Sequence, residues 1–70
     1  MNKIYVNSGD LKTVTYDETT HTLEVEFMNK EVYHYHSVPI EIYSNMLNAS
    51  SKSRYFDNNI RNAFSNEKKS

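Results

Sequence analysis

The side chains best equipped for chemistry lie in the stretch VYHYHSVP, where Tyr33 and Tyr35 alternate with His34 and His36 ahead of the only proline, Pro39. Two imidazoles at i and i+2 of an extended strand share one face, a spacing that can chelate. Glu24 would sit opposite His34 across a hairpin. A zinc site, however, takes a third or fourth protein ligand, and His21 falls in a turn. The two histidines therefore read as solvated side chains with a cross-strand contact to Glu24, and neither a metal nor another cofactor is expected. Asp17, Glu18 and His21 also cluster, but within one turn, where such residues are ordinary. There is no cysteine, no glycine-rich phosphate loop and no Ser/His/Asp set at recognisable spacing. No catalytic residue is assigned, and the chain reads as a non-enzyme.

Charge offers a different chemistry. Residues 1–49 carry three lysines against seven carboxylates, whereas residues 50–70 carry five cations against two. Aromatic rings interleaved with cations can stack bases while the cations hold phosphate. Lys52, Arg54, Tyr55 and Arg61, joined by the tail lysines Lys68 and Lys69, are the nucleic-acid-binding candidates. The outward side of the strands carries Glu24 and Glu26, which would repel phosphate, so an open sheet face is not the expected surface. Arg61 is equally suited to a salt bridge with an acidic strand residue.

These groups must be positioned by a 70-residue chain, which is one domain with a small core. Six tyrosines and three phenylalanines supply much of its apolar area, at roughly 150–250 Å² per ring. The lack of cysteine fits a reducing cytoplasm. No apolar run suggests a leader or a membrane span, so a cytoplasmic location is expected. Four alternating segments come first: Ile4 to Val6, Leu11 to Asp17, Thr22 to Met28 and Glu31 to His36. The period then lengthens. Pro39 suits a first helical position, followed by a stripe of Ile40, Tyr43 and Leu47 broadened by Ile42 and Met46. Serines 50, 51 and 53 can cap a second helix, whose stripe is Tyr55, Phe56, Ile60, Ala63 and Phe64; Asp57 is an alternative, later cap. The expected fold is α+β: an antiparallel β-meander of three to four strands, then two short helices packed on one sheet face. The domain spans residues 1–64, and 65–70 reads as a flexible polar tail.

The loop between the third and fourth segments decides which face of the fourth is buried. An even loop, Asn29-Lys30, would pair Val25 with His34 and turn the histidines inward. An odd loop, Met28 to Lys30, pairs Phe27 with Glu31, Val25 with Tyr33 and Leu23 with Tyr35. Two phenol rings bury far more apolar area than two imidazoles, so burial favours the odd loop. Such a loop ends in a left-handed residue, normally glycine; here Lys30 must adopt it. A loop of Glu18 to His21 likewise pairs Tyr16 with Leu23 and Val14 with Val25.

The segments VNSGDLKTVTYD, TLEVEFMNKEVYHYHSVP and IYSNMLNASSKSRYFDNNIRNAF together resemble the KTSC domain. That family is found as an extension of some lysyl-tRNA synthetases and as small stand-alone bacterial proteins. The likeness rests on a central Tyr-x-Tyr (Tyr33, Tyr35), a Tyr-Asp after the early strand (Tyr16, Asp17) and a Val-Pro helix entry (Val38, Pro39). A late Tyr-Phe followed by Ile-Arg (Tyr55, Phe56, Ile60, Arg61) completes it. Thr15, Lys30 and Ser53 stand where the family usually has glycine. Residues Tyr16, Tyr33, Tyr35 and Phe56 are read as family-motif positions that serve the core. The resemblance implies a small binding module, with RNA, tRNA included, the first partner class. The alternative is a protein-interaction module using an exposed sheet face or edge strand. A monomer is expected.

Overall fold

Alternation of Leu23, Val25 and Phe27 with Glu24 and Glu26 gives the central strand one apolar and one charged side, and the rest of the sheet is built on that asymmetry. A computed structural model describes residues 3–70; positions 1 and 2 of the expected 1–64 domain lie outside the described residues. The chain runs β1 (Ile4–Ser8), β2 (Leu11–Asp17), β3 (Thr22–Phe27), β4 (Val32–Tyr35), α1 (Ile40–Asn48), α2 (Lys52–Asn59) and β5 (Asn66–Lys68). The strands form one antiparallel sheet in the order β1-β2-β3-β4-β5. The architecture is α+β as expected, with five strands where three to four were expected. The extra strand lies in the segment read as a flexible tail.

Register follows burial. Val25 pairs with Tyr33 and Leu23 with Tyr35, while Tyr16 pairs with Leu23 and Val14 with Val25. The β3–β4 loop is the odd one: the Phe27 amide donates to the Glu31 carbonyl and the Lys30 amide to the Phe27 carbonyl, both at 2.9 Å. Lys30 takes the left-handed conformation at φ 73°. Tyr35 is buried and Tyr33 half-buried on the helix-covered side, while His34 and His36 are half-buried. Between Leu11 and Thr13 the register slips by one residue, which makes Lys12 a bulge. The bulge keeps Leu11 pointing inward with Val14 and Tyr16. It also sends Thr13 to the other face, where its hydroxyl reaches Glu26 at 3.4 Å.

The helices close the core over that inner face. Pro39 is the N-cap of α1 with extended ψ of 147°, one position earlier than a first helical turn. Tyr43 and Met46 carry the burial of α1, with Ile42 and Leu47 partly buried, whereas Ile40 of the expected stripe is 41% exposed. Ser51 caps α2 by accepting from the Arg54 amide, so Asp57 lies inside the helix. Phe56 and Ile60 are fully buried; Tyr55 and Phe64 pack at the rim and Ala63 is exposed. Each such fully buried large side chain contributes roughly 1.5–3 kcal/mol of transfer free energy. The start of α2 is seated on the β1–β2 turn. Ser53 donates its amide to the Ser8 hydroxyl at 3.2 Å, and a Cβ on Gly9, at φ +55°, would lie 2.6 Å from Ser53 Oγ.

Tyr16 fastens the turn before β3 to the entry of α1. Its hydroxyl donates to the Val38 carbonyl and also meets His21 Nδ1 at 3.2 Å. The Val38 amide in turn donates to the His21 carbonyl at 2.9 Å. The Tyr16 ring stacks on Tyr43 with centroids 4.9 Å apart. Burial pushes the Tyr16 phenol above its ordinary range, and the charges of Glu18, Glu41 and Asp17 add to the rise. Among the described residues, no helix is long and apolar enough to cross a membrane.

Candidate functional site

Phe27, Tyr33, Tyr35 and Phe56 form one aromatic cluster beneath α2. Phe27 meets Tyr33 edge-on at 5.6 Å, and Tyr35 meets Phe56 edge-on at 5.3 Å. Alternation places the two tyrosines on the same side of β4, and the left-handed Lys30 sets that side inward. Where the cluster reaches the surface it becomes one wall of a cleft of about 470 Å³. Phe27, Tyr33 and Tyr35 line it together with Arg61, Asp10, Glu31 and the amides Asn29, Asn62 and Asn66. Four separate pieces of chain meet there: the β1–β2 turn, the β3–β4 loop, the turn after α2, and β5. The Met28 amide donates to the Asp10 carbonyl at 2.8 Å, which holds the first two together.

Arg61 lines the same cleft, packed over two of the rings. Its guanidinium carbon lies 5.4 Å from the Phe27 ring centroid and 5.1 Å from that of Phe56. Nη2 donates to Asp10 at 3.0 Å and Nε to Asp57 at 2.7 Å. Partial burial acts to lower the Arg61 pKa, but hydrogen bonds to Asp10 and Asp57 and their charges outweigh it and raise it. Burial likewise pushes the Tyr35 phenol up; the Arg61 charge opposes that rise, while Tyr33, Asp10 and Asp57 reinforce it. The acidic partners of Arg61 come from the β1–β2 turn and from the preceding helix α2, rather than from a strand.

The six cationic and aromatic candidates do not make one surface. Arg61 lines the cleft, and Lys68 stands beside it, bound to Glu31 at 3.1 Å. Lys69 pairs with Glu67 at 2.6 Å, and Glu67 lies opposite His34 in the β4–β5 ladder. Lys52 caps the end of α1, its ammonium 3.4 Å from the Ala49 carbonyl. Arg54 and Tyr55 flank a separate shallow hollow at the α1–α2 joint. Thus three of the five cations are already matched to carboxylates. Of the family-motif residues, Tyr16, Tyr35 and Phe56 are buried, and Tyr33 is shared between core and cleft.

The remaining polar groupings have local tasks. Asp17 accepts from both the amide (3.0 Å) and the hydroxyl (2.6 Å) of Thr19; these hydrogen bonds lower its carboxyl pKa and shape the turn. His34 Nε2 lies 3.0 Å from Glu24 Oε1, the expected cross-strand contact. Among the described residues, no three His, Asp or Glu side chains converge as a metal site. Sequence reasoning missed Asp10, Asn29, Asn62 and Asn66. Each sits in or beside a turn, where polar residues are ordinary, and only the fold brings them together.

A five-stranded meander backed by two helices, with a Tyr-x-Tyr strand forming both core and cleft wall, defines a small single-sheet α+β domain. The KTSC domain model matches residues 7–64, and the chain belongs to that family. It is similar to the crystal structure of a KTSC domain protein from Yersinia pestis, with a TM-score of 0.92 at 30% identity, covering 99% of this chain and 97% of that one. It is 39% identical over 57 residues to a lysine–tRNA ligase of Trichormus variabilis, covering 81% of this chain. An uncharacterized protein of Stutzerimonas stutzeri is 35% identical over 57 residues, covering 81% of this chain and 80% of its own length. The matched region spans only 10% of the ligase.

Proposed function

We propose that this domain is a non-catalytic, cytoplasmic module that binds single-stranded RNA, tRNA ends and loops included, through the cleft beside Tyr33 and Tyr35. The carrying observation is the convergence of three aromatic rings, a guanidinium and three amide side chains in one opening of about 470 Å³. Sequence-specific RNA recognition uses these parts, with splayed bases placed against aromatic or guanidinium faces and their edges hydrogen-bonded. The similar segment of a lysine–tRNA ligase, an enzyme named for its tRNA substrate, supports the same partner class. Arg54 and Lys52 on α2, Lys68 on β5 and Lys69 just after it supply flanking charge for phosphates.

Because Arg61, Lys68 and Lys69 are already paired, few phosphates would be newly neutralised. With roughly one or two phosphate contacts, single-strand affinity should fall only about three- to sevenfold between 50 and 200 mM salt. Anisotropy titration of a labelled mixed-sequence oligoribonucleotide, single-stranded and duplex, tests the reading. Binding should favour the single strand and weaken in Arg54→Glu and Asn66→Ala. Absence of binding by the wild type at low salt would end it.

A second reading is favoured by Tyr5, which is 65% exposed on edge strand β1. An open edge beside an exposed ring can pair with another protein or a second copy. Sedimentation across a concentration series should then show association that Tyr5→Lys removes. A strictly monomeric chain that captures no partner would exclude this reading.

A further inference from the structure

We infer that the cleft is a pocket for one unpaired base carrying an exocyclic amine, and that it selects against uracil. This inference rests on the RNA reading and adds the identity of the base. The cleft is near the small end of the range for ligand pockets, roughly 300–1,000 Å³, which suits a single nucleoside rather than a helix. Phe27, Tyr33 and Tyr35 give it an aromatic wall, and Arg61, in the turn after α2, packs over Phe27 at its edge. Its charge does not suit phosphate: Asp10 and Glu31 line it, and the Arg61 cation is balanced by Asp10 and Asp57. The phosphate would therefore remain outside, and the base would enter.

The acidic lining also reads the base edge. Asp10 engages Arg61 through Oδ2, and Glu31 engages Lys68 through Oε2. An ionised carboxylate offers about four acceptor sites and no donor, so both retain capacity for further N–H groups. Cytosine presents an amino group to such an acceptor, the pairing by which carboxylates read that base. Uracil presents a carbonyl oxygen at the same ring position and would face a carboxylate acceptor to acceptor. The amides Asn29, Asn62 and Asn66 can donate as well as accept and so tolerate either base. Discrimination therefore falls to Asp10 and Glu31.

Cytidine and uridine are close to isosteric and carry no phosphate, which makes them direct probes. Titration of the isotopically labelled full chain with each, followed by amide chemical shifts, should move Tyr33, Asn62 and Asn66, with cytidine bound about tenfold more tightly. Glu31→Gln, which exchanges an acceptor for an amide, should bring the cytidine-to-uridine ratio close to one with the fold unchanged. Asp10→Asn provides a second test, should Glu31→Gln disturb the β3–β4 loop. Equal affinity of the two nucleosides in the wild type overturns the inference. So does oligoribonucleotide binding that shifts only Lys52, Arg54 and Tyr55, although RNA binding itself then stands. Failure to bind any oligoribonucleotide or nucleoside defeats both readings.

Discussion

Replacing Lys30 by glycine should stabilise the domain, because Lys30 closes the β3–β4 loop at φ 73°. For an L-residue the left-handed region costs roughly 1–2 kcal/mol, and glycine removes that cost. Glycine also gives the unfolded chain more freedom, which returns roughly 0.5–1 kcal/mol. The Lys30 side chain is exposed and no ion pair involves it among the described residues, so little else is lost. The net gain is about 0.5–1 kcal/mol, a rise in Tm of about 2–8 °C for a domain of this size. Lys30→Val should move the other way, since a β-branched residue tolerates positive φ poorly. Urea unfolding followed by circular dichroism would show both effects as shifts in midpoint at constant slope. If Lys30→Gly lowers stability as much as Lys30→Val, the three-residue loop is wrong. The even-loop register would then turn His34 inward and Tyr35 outward, and would dismantle the cleft wall with them.

Arg61→Met keeps an aliphatic cover over Phe27 and Phe56 but loses two ion pairs whose side chains are 37–56% exposed. At roughly 0.2–1 kcal/mol per exposed pair and about 0.5–1 kcal/mol for the ring contact, it should cost about 1–3 kcal/mol. Urea midpoints should show that difference shrinking in 1 M salt; a salt-independent loss would contradict the assignment. Gly9→Ala should destabilise α2 docking through both its φ of +55° and the 2.6 Å approach to Ser53. Ser53→Gly should recover the steric part in the double variant's thermal melt, whereas Ser53→Ala, which keeps the Cβ at 2.7 Å, should not. The phenols of Tyr16, Tyr35 and Tyr43 are all raised above 10.0, chiefly by burial. Their contribution to stability is complete below about pH 10 and is lost as pH rises through the folded values. Tyrosinate absorbance should therefore rise together with loss of helical signal; ionisation of all six tyrosines with the fold intact would refute it. Phe56→Ala should cost about 3–5 kcal/mol, enough for circular dichroism to show a largely unfolded chain at room temperature.

Much of the sheet is legible because a one-residue slip would exchange every buried side chain for an exposed one. That constraint alone selects the Tyr33 and Tyr35 side of β4 and the pairing of Tyr16 with Leu23. The bulge at Lys12 is not legible in the same way. Leu11 sits three residues before Val14, so strict alternation would have put it outside, and only its packing against Phe27 forces the extra residue. Strand β5 escapes notice because Asn66, Glu67 and Lys68 have no apolar alternation. Their conformation is imposed by unpaired groups on β4 and by side-chain pairing of Lys68 with Glu31. The cleft is hidden for a related reason. Asn29 is more than thirty residues before Asn62 and Asn66 in the chain, and nothing in either segment marks them as neighbours.

The pairing of β5 with β4 also bears on how the domain can be cut. The family match ends at residue 64, yet the amides of Val32 and His36 donate to the carbonyls of Ser70 and Ser65. A fragment trimmed to the matched region would bare the outer side of β4, a short sticky edge next to Tyr33 and Tyr35. Such an edge recruits other chains, so the trimmed fragment should express poorly or form aggregates while keeping every buried core residue. Residues 65–70 thus cover the β4 edge and also bring Asn66 into the cleft.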